Sequence, residues 1–490
     1  MIALNVDTGL LDTAHKELQR LLDGRPLVTA ERFTTALRTS YTGPAGIEAL
    51  RPALAIGCYP AWAPALPGAV VAAEDRTRTR SVAERHGRLP RIRHDVPPHL
   101  IALNRPPVIS AWYATGRLRE LAAPDGTVAA IDGELRDKVE AKPVFDQLLR
   151  AAEVPAAVRI PCVHVDHLPE LGELQRAVGT ATVVVQAGVT SGGRGTVFVA
   201  GQDDMSRAAR LLGPFRVAAF VDGWSSNTTV LSVPDEHGGV RTYVDRPSHK
   251  SVGVAALGIG PAKSAGNDWS RPWPAAAAAL IVESAQRIAA WAWRRYGMAG
   301  LFGLDAILTP DGRLFLNEIN WRNQGTTEVS AVNQQLRGLP PFIAAHLTVM
   351  LGGRVDWLGN ADDFNTDTLT RATQAGGPFY VKARLCHPAP ASIAPGYGSG
   401  VYRLGPDDRL HRLRVGAHPA DADTDRHEVL MANLPGPDIV CHPGAEIATI
   451  EGVTSGQPRP FDGPDSASAL TRRVHTALHE LFHPRQPEDF

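Results

Sequence analysis

Two acids, an amide and an arginine stand at a spacing suited to phosphate chemistry in Gly303-Leu-Asp305 and Asn317-Glu318-Ile-Asn320-Trp-Arg322. Pro310-Asp311-Gly312 between them reads as a turn joining two strands, Leu301–Leu308 and Arg313–Ile319. Alternate side chains of a strand share a face, so Glu318, Asn320 and Arg322 project together, and the folded hairpin brings Asp305 roughly opposite residues 316–318. Leu314 and Leu316 would share that face, so the acid extends an apolar row, which a hairpin of merely solvated acids does not explain. Two carboxylates and an amide oxygen are hard donors of the kind Mg²⁺ takes beside phosphate oxygens. Arg322 adds a planar cation suited to a developing oxyanion or a phosphoryl group.

A second stretch, Val183-Val-Val-Gln186-Ala-Gly188-Val-Thr-Ser-Gly192-Gly193-Arg194-Gly195-Thr196, carries glycines between two strand-like runs. Gly188 and Gly193 have the spacing of a phosphate-binding P-loop, but arginine stands at 194 where lysine belongs, and a strand follows instead of a helix. A hairpin whose glycines let the backbone close over phosphates fits better; a hairpin with no ligand is the plain alternative. Asp137-Lys138 opens a helix expected to run to about Ala152, with Lys142 one turn further on. Phe220-Val221-Asp222-Gly223 ends a strand that begins at Arg216.

Taken in this order, the segments resemble the ATP-grasp superfamily over about residues 137–352. By that resemblance Asp305, Glu318 and Asn320 hold the Mg²⁺ ions on ATP, and Arg322 is the catalytic arginine. It also implies that Lys138 reaches the nucleotide phosphates, that Gly192, Gly193, Arg194 and Gly195 form the loop over them, and that Phe220 and Val221 bracket adenine with their backbone. The sequence departs from the family at Gln186, where many members carry a lysine; Gln186 can donate hydrogen bonds to phosphate but brings no charge. Alanine at 218 and 219 replaces the usual acid before the hinge. The implied activity is a carboxylate–amine ligase that forms an amide through an acyl phosphate and releases ADP and phosphate. Arg246-Pro-Ser-His249-Lys250 and Gly266-Asn267-Asp268-Trp269 are similar to segments of peptide-forming ligases of bacterial natural-product pathways, the pheganomycin type. Its expected partners are a small-molecule carboxylate and amine, an amino acid or peptide, and the resemblance admits a homodimer. A kinase that stops after phosphoryl transfer, or a nucleotide-binding protein without turnover, are the rival readings.

The elements that must position these residues follow an α/β plan. Ala53–Gly57, Ala69–Ala73, Leu100–Leu103 and Val108–Ala111 read as buried strands of a mostly parallel, Rossmann-like unit, and no GxGxxG follows them. Pro274 starts an alanine-rich helix that stops at Gly297. The expected division is 1–135 (N-terminal α/β), 136–225 (helix and glycine-loop subdomain), 226–353 (metal-binding domain) and 354–490 (appended α+β domain), an α/β and α+β fold overall. With 490 residues, 44% hydrophobic and 21% charged, the chain has globular composition, and a net charge of -1 gives no pull towards nucleic acid or membrane. No apolar run reaches transmembrane length and no basic start or signal core follows Met1, so a cytoplasmic enzyme is expected. Only six of the 50 basic residues are lysines, so each lysine carries more weight. Four cysteines are dispersed; two Cys-His-Pro triplets, at Cys386 and Cys441, would supply four zinc-type ligands only if the fold joined them, and two strand ends is the simpler reading.

Overall fold

The computed structural model describes residues 4, 6–30, 46–57, 70–72, 77–78, 89–188 and 195–485. Its first layer is a five-stranded sheet in the order Val70–Ala72, Leu54–Ile56, Leu27–Ala30, Val108–Ala111, Thr127–Ala129, and every neighbouring pair is parallel. The central strand, Leu27–Ala30, is too short and too mixed to stand out in the sequence. Leu100–Leu103, read above as a strand, instead ends the helix Leu89–Ala102 and the turn after it. Val96, Leu100 and Leu103 recur at helical spacing and pack against Val28 and Ile109; a four-residue apolar run looks the same in either state.

A second, antiparallel sheet orders Cys162–Val165, Phe215–Ala219, Val183–Ala187 and Thr196–Val199. Ahead of it, the single helix expected from Lys138 to Ala152 is two helices, Gly133–Glu140 and Phe145–Ala151, separated by a 3₁₀ turn at Lys142–Val144. Pro143 is the cause, since its ring cannot donate the helical hydrogen bond and crowds the preceding turn.

The largest sheet has eleven strands. It begins with the hairpin Leu314–Asn320 and Gly300–Leu308, passes through Trp224–Pro234, Ser248–Val252 and Ser264–Asp268, and continues into Gly377–Arg384 and Glu446–Thr454. Strands from beyond residue 354 thus extend the sheet that carries the Asp305–Glu318 hairpin, joined where Gly266–Asp268 pairs with Val381–Phe379. Beneath one face lies the helix Ala275–Tyr296, capped by Gly297 at φ 64°. Ile281, Ala285, Ile288 and Ala292 pack there on Phe302, Leu304, Leu316 and Trp321, with the Phe302 and Trp321 rings stacked at 4.2 Å. Two-residue alternation puts the polar side chains of the same strands on the opposite face. Among the described residues, no helix is long and apolar enough to cross a membrane.

Candidate active site

That opposite face floors a cleft of about 370 Å³, whose lining includes Gln186, Thr196 and Arg216 from the four-stranded sheet. Directly opposed residues set the floor: Glu318 with Asp305, Asp305 with Asn227, Asn227 with Ser248. Further along, Lys250 is opposite Asn267, and Asn267 opposite Tyr380. Opposed residues of antiparallel strands share a face, so acids, amides and a lysine form one polar row across six strands.

The hairpin departs from simple alternation in one respect. Asp305 pairs with Glu318, but its neighbour Ala306 pairs with Leu316, so Asn317 is an extra residue, a β-bulge. The bulge reverses the facing of the chain: Leu314 and Leu316 point into the core, while Asn317, Glu318 and Asn320 line the cleft. The shared apolar row expected from the sequence is therefore wrong, and Glu318 reaches the polar face because the bulge re-aims it.

Gly303 faces Asn320, and an added Cβ would fall 2.0 Å from the Gln324 side-chain amide. The missing side chain admits Gln324, whose Oε1 accepts from Asn227 Nδ2 at 3.1 Å. Thr326 Oγ1 donates to Asn227 Oδ1 at 2.9 Å, and Asn227 Nδ2 donates to Asp305 Oδ1 at 2.5 Å. Asp305, 5% exposed, is thus held by a fixed amide on one oxygen. Its other oxygen accepts from Lys250 Nζ at 2.7 Å. Burial alone would depress Lys250, but Asp305 and Glu318 outweigh it and hold the ammonium above the usual lysine range.

Each remaining oxygen donor also meets a cation. Lys142 Nζ lies 3.9 Å from Glu318 Oε1, and Arg322 Nη2 donates to Asn320 Oδ1 at 2.6 Å. Arg322 is braced by Glu140, whose Oε2 lies 3.4 Å from its Nε. Burial raises the Glu140 carboxyl, opposed by Arg322 and Arg136. Pro143 ends the first helix early and brings Lys142, not Lys138, into the cleft: Lys142 is buried and lines it, whereas Lys138 is exposed on the helix Gly133–Glu140 and outside the lining.

Gln186 lines the cleft but acts as an acceptor, taking a bond from Arg216 Nη1 at 2.7 Å. Arg216, 1% exposed, also donates from Nε to Asp146 Oδ2 at 2.9 Å. The residue directly opposed to Gln186 on the adjacent strand is thus a buried guanidinium that also lines the cleft. An arginine amid the apolar run Phe215–Ala219 is the sequence signal for it. Lysine scarcity was the better guide, since three of the six lysines (Lys142, Lys250 and Lys382) line this cleft.

Away from the charges the lining turns apolar, with Ile160, Val184, Ile307, Phe198 and Phe220. Phe220 and Val221 lie in the connection between Phe215–Ala219 and Trp224–Pro234, and the Phe198 and Phe220 rings meet edge to face at 5.9 Å. The Ala187 N–H donates to the Gly195 carbonyl oxygen at 2.8 Å, closing the base of the glycine hairpin; Gly192, Gly193 and Arg194 lie outside the described residues.

The donor set suits a hard divalent cation. Asp305, Glu318 and Asn320 offer oxygen only, on one face of one hairpin, and each is balanced by an ammonium or guanidinium that an ion would displace or share.

No protein-family model matches this sequence, and neither does any curated protein. Solved structures do. Phosphoribosylamine–glycine ligase from Thermotoga maritima aligns at 14% identity over 94% of this chain and 97% of its own, with a TM-score of 0.50. Pyruvate carboxylase from Rhizobium etli aligns at 14% identity over 94% of this chain and 38% of its own, with a TM-score of 0.53. Likenesses at this identity speak to architecture, and together with the sheet order and the hairpin described above they show that this chain has the ATP-grasp fold.

Proposed function

We propose that the protein is an ATP-dependent carboxylate–amine ligase that releases ADP and phosphate. The observation that carries this reading is the convergence of Asp305, Glu318, Asn320 and Arg322 on one cleft whose other end is apolar. A nucleotide has the same polarity, a flat base at one end and a triphosphate at the other. Phe198, Phe220 and Val221 would take the base, and Lys142, Arg216 and Lys250 the phosphates, with Gly192, Gly193, Arg194 and Gly195 closing over them.

Bound at Asp305, Glu318 and Asn320, Mg²⁺ would supply charge neutralisation for the phosphates. A carboxylate oxygen of the acid substrate attacks the γ-phosphorus, the bond to the β-bridging oxygen breaks, and ADP leaves. The amine then attacks the acyl carbon of the mixed anhydride, the bond from that carbon to the phosphate oxygen breaks with its electron pair leaving on inorganic phosphate, and the amine proton is lost. Arg322, fixed by Asn320 and Glu140, is placed to stabilise the tetrahedral oxyanion of that second step. At the far end of the cleft, Asn267, Tyr380 and Lys382 offer hydrogen bonds and a cation, groups that suit an amino acid or peptide with a free carboxylate.

A matrix of acids and amines, read by ADP release, tests the proposal. The ligase requires both substrates, and Glu318→Gln abolishes the signal. ADP release that needs only one acceptor and leaves it stably phosphorylated would make the protein a kinase.

A further inference from the structure

The two Cys-His-Pro triplets do not join into one ligand set among the described residues; the first finds other company. Cys386 follows the strand Gly377–Arg384, and beside it lie His475 and His479 of the last helix, Ala469–His479. One ligating atom from each of the three lies within 4.8 Å of the others. We infer that Cys386, His475 and His479 form a second metal site, distinct from the nucleotide cleft, that takes a thiolate- and imidazole-preferring divalent cation such as Zn²⁺.

Three features support this. His475 and His479 are four apart on a helix, the spacing that aligns two imidazoles on one face. His479 Nδ1 donates to the His475 carbonyl at 2.7 Å, the orienting bond typical of a metal-bound imidazole, which leaves Nε2 its lone pair. That Nε2 is 3.0 Å from the Cys386 N–H but also 2.9 Å from the Arg384 carbonyl oxygen. A metal at Nε2 would take the lone pair that the Cys386 N–H now faces. Finally, His475 Nε2 is buried and makes no hydrogen bond, although the Arg384 carbonyl also faces this ring.

Tetrahedral zinc sets ligand atoms roughly 3.3–3.6 Å apart, so binding needs a small inward turn of these side chains. Three protein ligands leave a fourth position for water. The ion would tie the last helix to the end of the strand that carries Tyr380 and Lys382 into the cleft.

Co²⁺ titration of the chelator-stripped full-length protein tests the site. A thiolate-to-cobalt charge-transfer band should appear, with strong tetrahedral ligand-field bands, and Zn²⁺ should displace both. Cys386→Ser, a change at an exposed position, should abolish the charge-transfer band, and His475→Gln should weaken binding at least tenfold, whereas Cys162→Ser should leave the band intact. The oxygen-only set at Asp305 and Glu318 gives no such band, so loss of the nucleotide reading would not imitate loss of this one. No charge-transfer band, a band surviving Cys386→Ser, or a band lost with Cys162→Ser would overturn the inference.

Discussion

Replacing Lys250 with methionine asks whether Asp305 is built to hold a cation. Methionine keeps the unbranched apolar stem and removes the charge that sits 2.7 Å from Asp305 Oδ2. Among the described residues, Asp305 then retains the Asn227 amide alone for a carboxylate that is almost fully buried. Breaking a buried ion pair at one partner costs about 3–5 kcal/mol. The Lys250 side chain keeps 25% of its exposure, so water replaces part of its role and the lower figure, about 3 kcal/mol, applies. An unfolding entropy of about 2.1 cal/mol/K per residue over 490 residues comes to about 1 kcal/mol/K, so the melting temperature should fall by about 3 °C. Mg²⁺ at millimolar concentration should return most of that loss by occupying the oxygen the lysine gave up. The wild type should respond less, because Lys250 competes for the same oxygen. In Lys250→Met/Asp305→Asn the Mg²⁺ response should vanish. Thermal unfolding with and without MgCl₂ reads all three proteins. Equal Mg²⁺ responses in wild type and Lys250→Met, or a response that persists in the double variant, would refute the reasoning.

Other consequences follow from the same geometry. Glu140→Gln keeps the volume beside Arg322 but removes the charge that orients it, so amide formation should slow about tenfold with KM for ATP unchanged; a matching rise in KM would place Glu140 in binding instead. Arg216→Lys keeps a cation beside Asp146 but cannot also hold Gln186, so affinity for a non-hydrolysable ATP analogue should fall about tenfold by calorimetry. Asp245, fully buried, accepts from Gln334 at 2.7 Å and is pushed by burial from 3.8 up to about 6, against the pull of Arg337. The fold binds its proton more tightly than the unfolded chain does. Its contribution to stability is therefore complete below about pH 3.8 and lost as the pH rises through about 6. Stability of wild type relative to Asp245→Asn should accordingly fall across that window, by on the order of 3 kcal/mol, and level off above it; a flat difference in denaturation midpoint would contradict this.

The hairpin was legible because a turn signal and residue spacing fix which strands pair, and Asp305 does face Glu318. The facing of Leu314 and Leu316 was not, since a bulge adds one residue without altering composition, and one residue exchanges the faces of a strand. The parallel order of the N-terminal sheet was foreseeable, but Leu100–Leu103 was not resolved between helix and strand by four apolar residues. The motif resemblance points to Lys138, whereas Pro143, visible in the sequence, breaks the helix and turns Lys142 towards the cleft. Arg216, Glu140 and Asn227 depend on contacts between segments 30 to 182 positions apart, which no local pattern encodes. The union of the C-terminal strands with the hairpin's sheet is of the same kind: it is pairing across distant sequence, not a property of either segment.

The central claim is that the acid substrate is activated as an acyl phosphate, and isotope transfer tests it most directly. An acid found in the substrate matrix, labelled in both carboxylate oxygens, is incubated with ATP and the amine, and the products are read by mass spectrometry. The account predicts one labelled oxygen in the released inorganic phosphate, none in ADP, and loss of the transfer in Glu318→Gln. Label in AMP would mean activation by adenylation, and amide formed with unlabelled phosphate would mean that no acyl phosphate was made; either result contradicts the account.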